Sequence, residues 1–340
     1  MPDSLGPVTT QSFDLPRLFR HLAQANGVVL AVSGGPDSTA LMHLAAAWHL
    51  TSRVPLYVAT VDHGLRAEAA AETEAVQAAA GGLGLPFHLL RWHGDKPRRA
   101  IQEKARDARH DLLFGLAADV GASHVATAHT LDDQAETLLF RLARGSGLRG
   151  LCGIRPVSSR NGLMLVRPLL NLRKETLVSL CIGNNWPFLQ DPSNVDPRFA
   201  RARWRRLTPQ LAAEGLTPER LGALAERLAR AEAALESAAD HLARRCAAEA
   251  SPDQRRFQAA DLFAEPDELV LRVIEDALTT LVASTPVRLD RLEALVLVLR
   301  DSAARGMPLR RTLHHCTVVL DRHLVLTIQP EGLRKRGATA

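Results

Sequence analysis

The chain has 340 residues, 46% hydrophobic and 23% charged, proportions that exclude a disordered polyelectrolyte and leave room for a buried core in roughly two domains. Its formal charge is +5 and its pI about 9.4, compatible with a polyanionic partner without requiring one. No apolar run reaches the ~20 residues of a membrane-spanning helix, and the N-terminus lacks the basic-then-apolar pattern of a signal peptide, so a cytoplasmic setting is expected. The cysteines Cys152, Cys181, Cys246 and Cys316 are scattered without a C-x-x-C pair, which argues against zinc, an iron–sulfur cluster or a disulfide framework. His314-His315-Cys316 is a local cluster, but neighbours on a strand point to opposite faces and chelate poorly.

In chain order, Gly27 to Val32 reads as a buried strand and Pro36 to Leu50 as the helix after it. Leu56 to Val61 is a second strand, followed by an Ala/Glu-rich helix from Ala67 to about Gly81. Pro86 to Trp92 is a third strand and Ile101 to Val120 a helix, then His124 to Ala128 a fourth strand and Asp132 to Arg144 a helix. Such alternation predicts βαβ units and a doubly wound parallel sheet, with ligands beyond the carboxyl ends of its strands. After about residue 205 the character becomes helical. Thr217-Pro218-Glu219 starts a long helix with Leu221, Leu224, Leu228, Leu235 and Leu242 on one stripe. Two more helices are expected over 268–302. A hairpin closes the fold, Thr317 to Leu320 with His323 to Ile328 around Asp321-Arg322. The expected domains are an N-terminal extension or first helix (1–24), a catalytic α/β domain (25–210), a linker helix (211–250), a mainly helical C-terminal domain (251–330) and a disordered tail (331–340).

Chemistry concentrates in Ser33-Gly34-Gly35-Pro36-Asp37-Ser38, directly after the first strand and at the head of a helix. Glycine lets backbone turn with positive φ and approach an anion closely. The helix start adds unpaired N–H groups and a positive dipole end, and Ser33 and Ser38 add hydroxyls. Asp37 in a phosphate site makes sense once a divalent cation is included, Mg²⁺ held between carboxylate and phosphates. The loop is not G-x-x-x-x-G-K-[ST].

It resembles the SGGxDS loop of PP-loop ATP pyrophosphatases, which split ATP between the α- and β-phosphates. Further segments narrow the likeness: Val61-Asp62-His63-Gly64-Leu65-Arg66, Ala105-Arg106-Asp107-Ala108-Arg109, Ala128-His129-Thr130-Leu131-Asp132-Asp133-Gln134-Ala135-Glu136, Arg144-Gly145-Ser146-Gly147-Leu148-Arg149-Gly150, Arg167-Pro168-Leu169-Leu170 and Asp191-Pro192-Ser193-Asn194. In this order they resemble the tRNA(Ile)-lysidine synthetases over residues 25–207. The resemblance implies a cytidine in a CAU anticodon adenylated at C2 by ATP, then attacked by the ε-amine of free L-lysine. The expected partners are therefore tRNA(Ile), ATP, Mg²⁺ and lysine, with no membrane, and a homodimer is left open.

The resemblance also implies roles. Ser33, Gly34, Gly35, Pro36, Asp37 and Ser38 would bind the ATP phosphates, Asp37 through Mg²⁺. His63 and His129 would contact the nucleotide or activated base, and Asp133 and Glu136, on one helix face, would recognise lysine. Arg109, Arg144, Arg201, Arg203 and Arg205 would meet substrate phosphate, carboxylate or tRNA, and Asp132 would serve either the site or the helix N-cap. Ala202, Trp204 and His110 depart from the family pattern. A thiolase of the same superfamily would be expected to carry paired cysteines, which are absent. A silent tRNA-binding protein would not need Asp37 in an intact loop.

Overall fold

The computed structural model describes residues 9–62, 69–93, 101–189, 200–283 and 287–332, with backbone alone at 69–70, 101–103 and 200–202. The chain divides into two compact units, residues 1–146 with 150–226, and residues 227–340 with 147–149.

In the first unit, α1 (Leu15–Leu18) precedes β1 (Val28–Ala31), α2 (Pro36–Ser52), β2 (Leu56–Asp62), α3 (Ala69–Gly82) and β3 (Phe87–Arg91). Then come α4 (Ile101–Asp119), β4 (His124–Ala126), α5 (Leu131–Leu142), α6 (Leu148–Leu151, whose first two residues fall in the second unit), β5 (Val157–Arg160), β6 (Leu163–Val166), α7 (Lys174–Gly183) and α8 (Ala200–Ala213). The expected helices and strands to residue 144 are present within a few residues. The sheet order is β3-β2-β1-β4-β6-β5, with β5 antiparallel to β6 and the other neighbours parallel. The β5–β6 hairpin and α7 add to the expected pattern. Asn161-Gly162, both at positive φ, turn this hairpin, a pairing typical of two-residue loops.

Alternate residues of the buried strands feed two cores. Val28, Leu30, Val58 and Val166 pack with α2, α3 and α7, whereas Val29, Ala59, Val125 and Leu165 pack with α4. The stretch expected to be an extension or first helix carries α1 and joins the first core, since Phe19 and Leu22 are fully buried. With β1 central, the loop after it opens at the carboxyl edge of the sheet.

The long helix α9 (Pro218–Cys246) starts as expected, and the division between units falls inside it, not at its ends. Its leucine stripe needs correction. Leu224 is exposed, while Leu221, Ala225, Glu232, Ala239 and Leu242 are buried. Small residues and a paired carboxylate, not leucines alone, make its inner line.

The second unit holds β7 (Arg255–Gln258), α10 (Ala259–Phe263), α11 (Asp267–Leu281), α12 (Leu289–Ala304), β8 (Leu309–Leu313), β9 (Cys316–Leu320) and β10 (Val325–Pro330). The expected hairpin is β9–β10, and β7 and β8 extend it to an antiparallel sheet ordered β7-β10-β9-β8. Buried Arg272 grips buried Glu232 through two bonds of 2.7 Å, and Arg149 reaches Glu232 at 3.3 Å. His314 and His315 do not lie along a strand. Both have positive φ and form the two-residue turn between β8 and β9, which carries buried Cys316 away from them. Among the described residues, no group of three His, Cys, Asp or Glu could hold a metal, all four cysteines are buried and unpaired by disulfides, and no helix is long and apolar enough to cross a membrane.

Candidate active site at the glycine loop

Gly34 has φ +82°, and a Cβ there would lie 2.8 Å from Leu189 Cδ1 and 3.3 Å from Val76 Cγ2. The conformation therefore favours glycine, and a side chain there would also have to displace the Leu189 tip. Gly34 O accepts from Leu189 N at 2.9 Å, which ties the turn to the segment after α7. Gly35 is the N-cap of α2 and Pro36 its first residue, where a missing N–H costs nothing. The Ser38 hydroxyl donates to Gly35 O at 3.0 Å and accepts from Ser33 N at 3.2 Å. Buried Ser38 thus braces the loop from within, while Ser33 is exposed at its mouth.

Asp37, in the first turn of α2, is half-buried, and its Oδ1 is buried without a hydrogen-bond partner. Its Oδ2 lies 3.4 Å from Lys174 Nζ. Burial pushes the carboxyl up to about 6, against the pull of the Lys174 ammonium. Lys174 opens α7 and escaped the sequence reading, because nothing local pairs it with Asp37. A buried carboxylate oxygen with an unmet lone pair suits a hard divalent cation, so the residues here fit Mg²⁺.

Helix α5 starts at Thr130, which is its N-cap. Thr130 N and Oγ1 donate to Asp133 Oδ2 at 2.9 and 3.0 Å, and Asp133 N donates back to Thr130 Oγ1 at 3.4 Å, a capping box. Asp132 is therefore not the N-cap of α5. It serves α7 instead, accepting from Lys174 N at 2.7 Å and from Arg173 Nε at 3.3 Å. Asp133 spends one oxygen on the cap and turns the other towards Arg205, 3.8 Å from Nη2. Glu136, one turn on and buried, accepts from Arg205 Nε at 2.5 Å. Burial disfavours the Arg205 guanidinium, but Glu136 and Asp133 outweigh it and hold the charge. Asp37, Asp133 and Glu136 thus converge, with two internal cations, Lys174 and Arg205, set against them. His129 follows β4, half-buried, its Nδ1 2.9 Å from Thr127 Oγ1, which orients the ring.

Three of the other expected residues are exposed. Arg109 is exposed on α4, and Arg144 is exposed over the Phe140 ring, its Cζ 4.0 Å from the centroid. Arg203 is exposed on α8; Arg201 lies on the same helix with its side chain outside the described residues, as is all of His63. Two further polar residues hold the turn after α5. Gln134 Oε1 accepts from Ile154 N at 2.5 Å, and Arg141 Nη1 donates to Gly150 O and Gly153 O at 2.6 and 2.9 Å. A cavity of about 640 Å³, lined by Arg288, Arg291, Arg311, His314 and His315 among others, belongs to the second unit, not to the one carrying the loop.

A glycine turn joining a central parallel strand to a helix, with a carboxylate in the first helical turn, defines the nucleotide-handling PP-loop class, and a family model described as "PP-loop domain" matches residues 9–211. The tRNA(Ile)-lysidine synthase of Methylobacterium sp. (strain 4-46) is 54% identical over 317 residues, 92% of this chain and 91% of that one. That of Methylobacterium nodulans is 50% identical over 343 residues, covering 99% and 100%. The chain belongs to the tRNA(Ile)-lysidine synthase family, enzymes of ligase type. Among solved structures, the U34-tRNA thiolase NcsA from Methanococcus maripaludis, with its 4Fe–4S cluster, superposes with a TM-score of 0.54 at 16% identity, over 64% of this chain and 79% of that one. That likeness is one of fold.

Proposed function

We propose that this chain joins free L-lysine to C2 of the wobble cytidine of tRNA(Ile) with a CAU anticodon, at the expense of ATP. The C2 oxygen attacks the α-phosphorus of ATP and pyrophosphate leaves. The ε-amine of lysine then attacks C2, loses a proton, and AMP departs with the oxygen, leaving lysidine. The modified tRNA would read AUA and be charged with isoleucine. The observation that carries this reading is the convergence of Asp37, Asp133 and Glu136 beside a phosphate-shaped turn, in a chain half identical to lysidine synthases along its length.

The loop from Ser33 to Ser38 would hold the triphosphate by backbone N–H groups at the head of α2. Asp37 would hold Mg²⁺, which when bound supplies counter-charge to the phosphates. His129, oriented by Thr127, faces nucleotide or base from the end of β4. Asp133 and Glu136 would receive lysine. An amine of pKa ~10.4 is protonated at neutral pH, and neighbouring carboxylates favour that charged form. One acid therefore clamps the α-ammonium, and another accepts the ε-proton as attack proceeds. Arg205 already meets both acids, so lysine would compete with an internal cation for its place. The exposed Arg203 and Arg206 of α8, and the arginines of the second unit's cavity, suit RNA phosphates.

The test is incubation of the protein with ATP, Mg²⁺, labelled lysine and unmodified tRNA(Ile) carrying CAU, followed by nucleoside analysis. Labelled lysidine that requires ATP is expected. Absence of ATP-dependent labelling under any metal condition overturns the proposal.

A further inference from the structure

Arg167 directly follows β6 and is 8% exposed. Its Nη1 donates to Arg155 O at 2.7 Å and to Ser158 Oγ at 3.2 Å, while its Nε is buried without a hydrogen-bond partner. Among the described residues no carboxylate is set against it, and the charge that acts on it is that of Arg106. Leu165 packs on the α4 side of the sheet and Val166 on the α2 side, so alternation returns Arg167 to the α4 side. There it joins other cations. Beyond burial, the charges that disfavour protonation of His110 on α4 are those of Arg106, Arg109, Arg160 and Arg167, and Arg160 also holds Asp111 at 2.6 Å.

Burying a guanidinium without a counter-charge is unfavourable, more so beside like charges. Burial, with Arg106, pulls Arg167 down to about 10. The two neutral acceptors that fix the β5–β6 hairpin give the guanidinium no counter-charge. The unmet Nε–H belongs to a planar fork that matches two oxygens of a phosphate. Arg167 stands at the carboxyl edge of the sheet, the edge that also carries the glycine loop, with its guanidinium reaching towards β5.

We propose that Arg167, with Arg106 beside it, forms a phosphate-oxyanion subsite of the catalytic unit. The existence of the subsite stands on this geometry; the sources of its ligand, a phosphate of the RNA backbone or the pyrophosphate released at the loop, rest on the function proposed above.

The experiment measures two equilibria on the full chain without ATP: filter binding of a labelled tRNA(Ile) transcript over a salt series, and calorimetric binding of inorganic pyrophosphate. The variants are Arg167→Gln and, on the exposed face of α4 where folding is not at risk, Arg106→Gln, each checked by circular dichroism. Loss of RNA affinity by about tenfold, with a salt slope shallower by about one and pyrophosphate binding intact, supports the subsite with RNA as source. The converse pattern supports it with pyrophosphate as source. Folded Arg106→Gln protein with both affinities unchanged overturns the proposal, and so does a wild-type chain that binds neither ligand. Lysidine formation, assayed separately, reports on the function whatever this outcome.

Discussion

Replacing Glu136 with Gln keeps shape and removes charge where lysine is proposed to bind. The wild-type carboxylate is 7% exposed and accepts from Arg205 Nε at 2.5 Å, so its oxygen already serves a cation. Two unit charges about 4 Å apart near a protein surface interact by about 4 kcal/mol, which is a ceiling. A charge-assisted hydrogen bond exceeds a neutral one by about 1–1.5 kcal/mol. Part of any loss cancels, because the neutral amide would also loosen Arg205, the internal competitor. The net expectation is about 1.4 kcal/mol, a roughly tenfold rise in KM for lysine. Pyrophosphate release with ATP and tRNA before lysine is added should be unchanged, since lysine takes no part in that step. Asp133→Asn should behave alike towards lysine and also weaken the α5 cap by about 0.5–1 kcal/mol, because Asp133 Oδ2 accepts two bonds from Thr130. Steady-state kinetics over lysine concentration, beside a quenched pyrophosphate assay, decides the matter. An unchanged lysine KM in both variants refutes the acid-pair reasoning.

Gly34→Ala must place a Cβ at φ +82° against Leu189. It should cost about 1–3 kcal/mol, seen as a lower Tm, and abolish ATP-dependent pyrophosphate release; full activity would show that the loop tolerates a side chain. Glu232→Ala strands buried Arg272 in the second unit and should cost about 3–5 kcal/mol in urea unfolding; a change under about 1 kcal/mol would mean that the pair is solvated. Burial depresses His43, stacked on Trp186 at 4.0 Å, to about 4. The unfolded chain therefore binds the extra proton between about 6.5 and 4, and His43 stabilises the fold above that window and loses its contribution as pH falls through it. The slope is about 1.4 kcal/mol per pH unit for one such proton. Asp37, raised by burial, has the opposite sign, contributing stability at low pH that is lost as pH rises through about 6. His43→Phe should flatten the acid limb of urea midpoints by one proton; an unaltered slope counts against buried neutral His43.

The βαβ order and the glycine loop were legible in the sequence because each rests on local physics. Buried strands read as continuous Val/Leu/Ala runs, helices as longer stretches between them, and Gly34 marks a backbone that no other residue adopts cheaply. The two-acid spacing of Asp133 and Glu136 was legible for the same reason, since one helical turn separates them. Asn161-Gly162 was a hairpin signal of equal quality, and only the neighbouring apolar run obscured it. What the chain's order could not disclose is which distant charge meets which. Lys174 against Asp37, Arg205 against Glu136 and Asp132 capping α7 are pairs made when α2, α5, α7 and α8 are packed on one sheet. Nor could periodicity tell that Glu232, not Leu224, lies on the inner line of α9, because a carboxylate is buried only where its guanidinium partner has already been placed. Short-range sterics and hydrophobic spacing are written residue by residue; electrostatic pairing depends on distances through space, and those exist only after folding.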